Sequence, residues 1–205
     1  MRALSEWESK QLLGGDLPWP QEILSATAEE AVGFAEELGR PVVAKASGVA
    51  HKTEGGLVRV GLDAAGLRQV WDELAAAGDG TVLVAEEVRG DLELLAGGLR
   101  DPQFGPLVSI GLGGVLTEAL RDVAFVLAPP EPGELARAIS RLRTAELFYE
   151  HRGRPGPDQD ALEAIVDAIA GLLEAREDVG EIDCNPIIVR DGTPLVVDAL
   201  VVLDR

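Results

Sequence analysis

Residues 180–199 read GEIDCNPIIVRDGTPLVVDA, with one short apolar run on each side of Asp191-Gly192. Asp-Gly is one of the dipeptides most often found in two-residue β-hairpin loops. The stretch therefore predicts an antiparallel hairpin in which Arg190 faces Thr193. Every other facing pair in the hairpin follows from this register.

Three oxygen-bearing side chains come together in the predicted hairpin. Asn185 faces Asp198, and Asp183 lies two residues before Asn185, on the same side of the pleat. Side chains that face each other in this way have Cβ atoms about 5 Å apart. Carboxylate and amide oxygens suit Mg²⁺, which commonly shares its coordination shell with phosphates. The spacing predicts a metal site, and the alternative is a turn begun by Asn-Pro, with Asp198 closing the hairpin at the surface.

The composition is that of a globular and strongly acidic protein. The 205 residues include 36 acidic and 18 basic side chains, for a formal charge of −18, and 46% are hydrophobic. Such a charge repels phosphate backbones, so no nucleic-acid partner is expected. The single cysteine, the absence of an apolar leader and the absence of a bilayer-length apolar run predict a cytoplasmic protein with no membrane partner.

Helical and strand patterns follow one another irregularly along the chain. The predicted helices are residues 4–14, 27–38, 63–77, 132–148 and 159–176. The strands predicted before the hairpin are 41–45, 56–62, 81–88, 92–99, 106–112 and 123–129. Several strands follow each other through short turns, which predicts a mixed α/β fold with antiparallel connections rather than a doubly wound parallel sheet.

One segment combines two rare residue types. Lysine occurs only three times in the chain, and Lys45 leaves the strand at 41–45 into a glycine-containing loop. An ammonium group in that position could reach phosphate oxygens. His51, in the same loop, could accept or pass a phosphoryl group, or it could be a solvated loop histidine.

Two further segments could contact a nucleotide. The strand at 81–88 leads into acidic and backbone groups that could read an adenine edge or hold a ribose: Glu86, Glu87, Val88 and Glu93. A glycine loop could bring its N–H groups close to an anion, and its members are Gly111, Gly113 and Gly114. The alternatives are solvent-facing glutamates and an ordinary tight turn.

The order of these segments resembles the ATP-grasp domain of the acyl-CoA synthetases that form a nucleoside diphosphate, the relatives of succinyl-CoA synthetase. The matching blocks include SEWESKQLL near the start, PVVAK, HKTEGG, DPQFGPLVSIGLGG, HRG, and EIDCNP followed by VVDA. The resemblance spans nearly the whole chain. It implies a single ATP-grasp domain over residues 1–205, with two α/β lobes, approximately 1–88 and 89–205, that hold ATP between them.

The resemblance also implies a role for each candidate residue. Lys45 matches the lysine that contacts the nucleotide phosphates, and His51 matches a loop histidine of the phosphoryl relay. Asn185 and Asp198 match the Mg²⁺ ligands, with Asp183 beside them. Residues 86–88 match the hinge that reads adenine, and Glu93 matches a position close to the nucleotide. The glycines at 111, 113 and 114 match the glycine loop of the family.

The activity implied by the resemblance is that of an acid–CoA ligase that forms ADP, with ATP and Mg²⁺ as cofactors. Phosphoryl would pass between ATP and a phosphohistidine while a carboxylic acid and CoA are interconverted with acyl-CoA. Neither a CoA-binding domain nor the domain with the main phosphohistidine is recognised in the 205 residues. A CoA-binding, phosphohistidine-bearing α-type subunit or domain is therefore an expected partner.

Two alternatives to the enzyme remain open. One is a non-catalytic or regulatory module, similar to the domains fused to protein acetyltransferases, and the other is a different ATP-grasp ligase. The HKTEGG loop is one residue shorter than is usual in the family, and Leu200 follows VVDA where Arg or Lys is usual, which keeps the module open. The complete set of Lys45, His51, Asn185 and Asp198 favours the enzyme.

Overall fold

A computed structural model describes residues 1–49, 56–114, 122–151 and 153–204. The chain divides into two compact units. The N-terminal unit comprises residues 4–8 and 20–88, and the C-terminal unit comprises residues 1–3, 9–19 and 89–205. Residues 1–3 and 9–19 thus group with the C-terminal half of the chain, and the division into functional lobes at residue 88 stays a prediction.

The described elements are short strands and a few helices. In chain order they are β1 (Arg2–Ala3), α1 (Glu6–Leu13), β2 (Glu22–Ser25), α2 (Ala28–Leu38), β3 (Val42–Ala46), β4 (Val58–Leu62), α3 (Ala64–Ala77), β5 (Val82–Glu86), β6 (Leu92–Asp101), β7 (Gly105–Leu112), β8 (Val123–Leu127), α4 (Glu134–Ile139), a 3₁₀ helix (Ala145–Phe148), α5 (Gln159–Ala175), β9 (Val179–Arg190), β10 (Thr193–Val196) and β11 (Leu200–Leu203). All strand pairs between these elements are antiparallel.

The N-terminal unit has a sheet in the order β2-β5-β3-β4, with α2 and α3 packed against it. Helix α2 begins at a capping box, where the Thr27 hydroxyl accepts a hydrogen bond from the Glu30 N–H. Its apolar side and that of α3 cover the sheet. The core formed in this way includes Ala31, Val42, Leu67, Leu74 and Val84.

The C-terminal unit has a sheet in the order β1-β11-β9-β6-β7-β8, and β10 also pairs with β9. Helix α5 packs against β6, β7 and β9. The residues that it buries recur at helical spacing: Leu162, Ile165, Val166, Ile169 and Leu173. The helix predicted over residues 159–176 is therefore present and supplies one layer of the core.

The prediction of one helix over residues 132–148 is wrong. The segment contains α4 and the 3₁₀ helix, separated by a turn at residues 140–144. The buried carboxylate of Asp122 accepts hydrogen bonds from the backbone N–H groups of Arg143 and Thr144 and from the Thr144 hydroxyl. These bonds hold the turn and end the helical run, and a partner 21 residues away is invisible to a helical periodicity.

The two faces of the C-terminal sheet differ in character. Leu94 pairs with Ile187 and Ala96 pairs with Cys184, and these buried residues lie on the face covered by α5. Side chains alternate along a strand, so the opposite face carries other residues of the same strands. We call this opposite face the Asp183 face, and it includes Glu93, Leu95, Gly97, Glu181 and Asp183.

Candidate functional site

The terminal hairpin has the turn and the register that its sequence predicts. Asp191 and Gly192 have φ values of 52° and 83°, the left-handed conformations of a tight two-residue loop. Arg190 is paired with Thr193, as expected from such a loop. The local twist of this turn sets the position of every residue in the two strands that it connects.

Asn185 and Asp198 occupy level positions on neighbouring segments, which means that they are directly opposite each other in the antiparallel register. The β9–β10 ladder ends at Ile187 and Val196, and the same register continues where Asp183 pairs with Leu200 in β9–β11. Residues 197–199 have no strand assignment, so the predicted second strand is interrupted at Asp198. The Val197 N–H donates to the Pro186 carbonyl at 3.2 Å, which keeps the two segments in register across the interruption.

The carboxylates at this position repel each other. Asp183 is half-buried, and burial, with added repulsion from Asp198 and Glu181, raises its pKa to about 6. A group of negative oxygens with raised proton affinity is also a group with affinity for a cation. Asn185 is exposed and adds an amide oxygen. The donor set therefore has the chemistry of a Mg²⁺ site.

The predicted ligand set contains only two carboxylates. Within residues 1–49, 56–114, 122–151 and 153–204, no three His, Cys, Asp or Glu side chains form a group that could hold a metal ion. A metal at the hairpin would thus depend on Asn185 and on oxygens from a ligand or from water, which is common for Mg²⁺. The metal role of Asn185, Asp198 and Asp183 stays a prediction.

A buried lysine, Lys10, contacts the backbone of the hairpin, and sequence analysis gave it no role. Lys10 is 2% exposed, its Nζ lies 3.5 Å from the Val197 carbonyl oxygen, and it is 5.5 Å from the centre of the Trp19 ring. The rarity of lysine in this chain was the available signal. The neighbouring Cys184 is fully buried, and burial, with Asp183 nearby, raises the pKa of its thiol to about 12. Cys184 is therefore a core residue rather than a reactive thiol.

The glycine loop packs against Glu93 at the start of β6. The Gly113 N–H donates to the Glu93 carbonyl at 2.7 Å, and Gly114 has a φ of 74°. A Cβ on Gly113 would lie 2.7 Å from the Leu94 carbonyl oxygen, and one on Gly114 would lie 2.7 Å from Glu93 Oε2. This close approach requires glycine. Gly111, paired with Leu95, completes the same region, and the anion-binding role of the loop stays a prediction.

In the N-terminal unit, Lys45 is buried in an ion pair. Its Nζ lies 2.7 Å from Glu6 Oε1, and the two side chains are 9% and 2% exposed. Glu6 is in the first turn of α1, within the block SEWESKQLL, and sequence analysis gave it no role. Its partner lies 39 positions away, so only the tertiary structure shows the pair. His51 lies outside the described residues.

The acidic strand end is mostly turned inward. Glu86 is 4% exposed, its Oε1 accepts from the Gln21 N–H at 3.2 Å, and its Oε2 lies 2.9 Å from an Arg40 guanidinium nitrogen. The interpretation of Glu86 as solvent-facing is therefore wrong, and its carboxylate holds the N-terminal unit together. The Glu87 N–H donates to a backbone carbonyl at residue 41, and Val88 is buried. The adenine-reading role of residues 86–88 stays a prediction.

Comparison with known proteins connects these features to one family. A sequence-family profile described as an ATP-grasp domain matches residues 1–203. The β subunit of ADP-forming acetate–CoA ligase II from Pyrococcus furiosus is 31% identical over 98% of this chain and 92% of that subunit. ADP-forming 4-hydroxybutyrate–CoA ligase from Nitrosopumilus maritimus is 31% identical over 92% of this chain but only 29% of its own length.

Solved structures show the same architecture. Acetyl-coenzyme A synthetase 1 from Candidatus Korarchaeum cryptofilum, in complex with coenzyme A and Mg-AMPPCP, has a TM-score of 0.83 and 34% identity, over 98% of this chain and 92% of that chain. This chain thus spans about nine-tenths of a separate β subunit and less than a third of the longer ligase. In the described part of the chain, no helix has the length and hydropathy needed to cross a membrane.

Proposed function

Since the chain belongs to the ATP-grasp family, in the group that contains the β subunits of ADP-forming acetate–CoA ligases, we propose that it is the nucleotide-binding subunit or domain of an ADP-forming acyl-CoA synthetase. It would transfer phosphoryl between ATP and a phosphohistidine during the interconversion of a carboxylic acid and its CoA thioester. The observation that carries this proposal is the level position of Asn185 and Asp198, beside an Asp183 carboxyl with raised proton affinity.

Asn185, Asp198 and Asp183 would hold Mg²⁺ through amide and carboxylate oxygens. Bound Mg²⁺ would offset the negative charge of the nucleotide phosphates. The fixed turn at Asp191-Gly192 keeps the two ligand-bearing segments in one register. A hairpin whose register is fixed by its turn would lose little entropy on binding a metal.

Lys45 would contact the nucleotide phosphates. Its ammonium group lies at the end of a buried strand, where solvent screening is weak and an interaction with an anion is strong. Glu6 compensates the charge of this ammonium in the structure and holds its position. His51 would accept or pass the phosphoryl group, as the resemblance implies. Glu93 and the glycine loop would lie close to the nucleotide.

The remaining parts of the reaction require a partner. The longer relative contains this region as 29% of its length, and the matched structure was solved with coenzyme A. We therefore propose an α-type subunit or domain that binds CoA and carries the phosphohistidine. The proposed location is the cytoplasm, where acyl-CoA chemistry and a reduced Cys184 are both expected.

A second candidate function is a regulatory ATP-grasp-like module that binds nucleotide without turnover. The register pairs Leu200 with Asp183, so an apolar residue lies beside the proposed metal ligands where the family usually has a cation. In the described residues, Lys45, the proposed phosphate contact, is also already paired with a carboxylate. These features reduce the positive charge available to a transferring phosphoryl group.

The proposal is tested in two steps: binding of Mg-ATP is measured first, and phosphoryl transfer is measured second. Mg-ATP at a hundredfold excess over its Kd should stabilise the purified chain by about 2.7 kcal/mol. Asn185→Ala and Asp198→Ala should abolish the Mg²⁺-dependent part of this shift. Asp167→Asn, an exposed carboxylate on α5, is the matched control and should behave like wild type.

Incubation with radiolabelled ATP and a phosphohistidine-bearing α-type partner then separates the two candidates. Label on the histidine supports the enzyme. Mg-ATP binding without label supports the module. No Mg²⁺-dependent stabilisation of the wild-type chain would refute both functions for the chain alone.

A further inference from the structure

A large pocket lies in the C-terminal unit, and none of the residues proposed above as metal ligands or nucleotide contacts lines it. It has a volume of about 910 Å³ and forms where the start of β6, the described residues between 147 and 155 and the hairpin turn meet. This volume is in the range of pockets that hold small organic ligands. Leu92 and Val189, which line the pocket, belong to the sheet face opposite to Glu93 and Asp183.

The charge of this pocket is opposite to that of the protein. Its lining includes Arg89, Arg154 and Arg190, against the carboxylates of Asp91 and Asp191. Among the described residues that line the pocket, permanent positive charges thus outnumber negative ones, in a chain with 36 acidic and only 18 basic residues. Guanidinium groups present planar forks of N–H donors that match phosphate oxygens in pairs. The pocket is therefore suited to an anion.

On the Arg154 side of the pocket, a ligand could enter without breaking a strong internal interaction. Arg154 and Asp91 approach to 3.4 Å, with side chains 74% and 80% exposed. Exposed ion pairs of this kind contribute little to stability, because water screens both charges. A phosphate group that replaced Asp91 at Arg154 would gain a partner with a rigid donor fork at small cost.

The walls of the pocket are held by backbone hydrogen bonds. His151 and Arg154 exchange two N–H···O bonds of 3.0 Å each across the loop. The Asp158 N–H donates to the Gly192 carbonyl at 2.7 Å, which fixes the loop to the hairpin turn. A pocket whose walls are already ordered loses little entropy when a ligand binds.

The rest of the lining indicates an organic ligand rather than a bare inorganic ion. Leu147 and Tyr149 also line the pocket and are 36% and 43% exposed, so the lining includes apolar surface as well as arginine side chains. An aromatic ring offers a flat surface on which a planar group can stack. We propose that this arginine pocket binds a phosphate-bearing organic anion with a flat or apolar body, at a site separate from the proposed Mg²⁺ site.

The test uses NMR of two side chains that report on the pocket. Tyr149 is the single tyrosine of the chain, and His151 is one of two histidines, distinguishable by comparison with a His51→Gln sample. Phenyl phosphate should shift the ring signals of Tyr149 and His151 in a saturable manner at or below about 10 mM. Phenol, which has the ring without the charge, should not.

Variants connect the shifts to the arginine side chains. A combined Arg154→Gln and Arg190→Gln variant should bind phenyl phosphate at least about tenfold more weakly. The corresponding lysine variant keeps the positive charges and loses only the paired N–H donors of the guanidinium groups. Arg137→Gln, an exposed arginine on α4, is the matched control. Asn185→Ala with Asp198→Ala should leave the binding unchanged, because the pocket is separate from the proposed Mg²⁺ site.

Three results would overturn the proposal. The first is the absence of saturable shifts in the wild-type protein. The second is unaltered affinity in the glutamine variant, with its fold confirmed by circular dichroism. The third is loss of binding in the Asn185→Ala and Asp198→Ala variant, which would assign the ligand to the proposed Mg²⁺ site instead. None of these results depends on whether the chain transfers phosphoryl groups.

Discussion

Replacing Glu6 with glutamine removes a buried negative charge that lies in direct contact with the Lys45 ammonium group. The two charged atoms lie 2.7 Å apart, and their side chains are 9% and 2% exposed, so water cannot take the place of the lost carboxylate. Breaking a buried ion pair by removing one partner costs roughly 3–5 kcal/mol. The free energy of unfolding should fall by that amount.

Thermal and urea unfolding of the full chain measure this loss. A protein of this size loses about 2–4 °C of thermal midpoint per kcal/mol, so the midpoint of Glu6→Gln should fall by roughly 6–20 °C. Glu29→Gln is the matched control, because Glu29 and Arg68 form a pair of similar length, 2.9 Å, with side chains 73% and 54% exposed. That exposed pair should contribute little.

Mg-ATP adds a second readout to the same variants. If Lys45 contacts the phosphates, the ligand supplies the missing negative charge, and Glu6→Gln should gain more stability from Mg-ATP than wild type does. A double variant with Lys45→Met should recover part of the lost stability and lose this extra gain. Equal small losses for Glu6→Gln and Glu29→Gln would refute the reasoning about burial. A loss without the extra gain would refute the phosphate contact alone.

Three further predictions concern the C-terminal unit. The pKa of Asp183 is raised to about 6, above its usual 3.8, so the metal-free protein should gain stability as the pH falls from 7 toward 4, and Asp183→Asn should lack this gain in urea unfolding at each pH. The same dependence of the unfolding free energy on pH in wild type and Asp183→Asn would contradict this prediction. Gly113→Ala should lower the thermal midpoint, because its Cβ would lie 2.7 Å from the Leu94 carbonyl, whereas Gly171→Ala on α5 meets nothing within 4 Å and should be neutral or stabilising. A tolerated Gly113→Ala would show that the loop can move away. Burial opposes ionisation of Asp122, but hydrogen bonds from the turn at 143–144 outweigh it and hold its pKa below 3.8. Asp122→Asn should therefore lose about 2 kcal/mol at pH 7, and the difference from wild type should shrink as the pH falls below 3.8. A difference that stays constant with pH would contradict the assignment to the ionised carboxylate.

Local sequence determines the parts of this protein that depend on neighbouring residues. Asp191-Gly192 adopts the left-handed conformations that its residue types favour, and this turn alone sets the facing pairs of the hairpin. The capping box at Thr27 determines where α2 begins, and the apolar spacing of α5 determines which side of that helix is buried, and both depend only on nearby residues. For this reason the mixed α/β fold and the level position of Asn185 and Asp198 could be predicted before any tertiary contact was known.

Only the tertiary structure decided which distant groups meet. Glu6 with Lys45 and Asp122 with Thr144 are pairs 39 and 22 positions apart, and no periodicity in the chain records them. The burial of Glu86 also depends on tertiary structure, because the sequence of an acidic strand end is the same whether the side chain faces water or Arg40. The arginine pocket forms from three segments far apart along the chain. Turn and helix preferences are short-range and are written in consecutive residues, whereas the environment of a charge depends on which elements the sheets bring beside it.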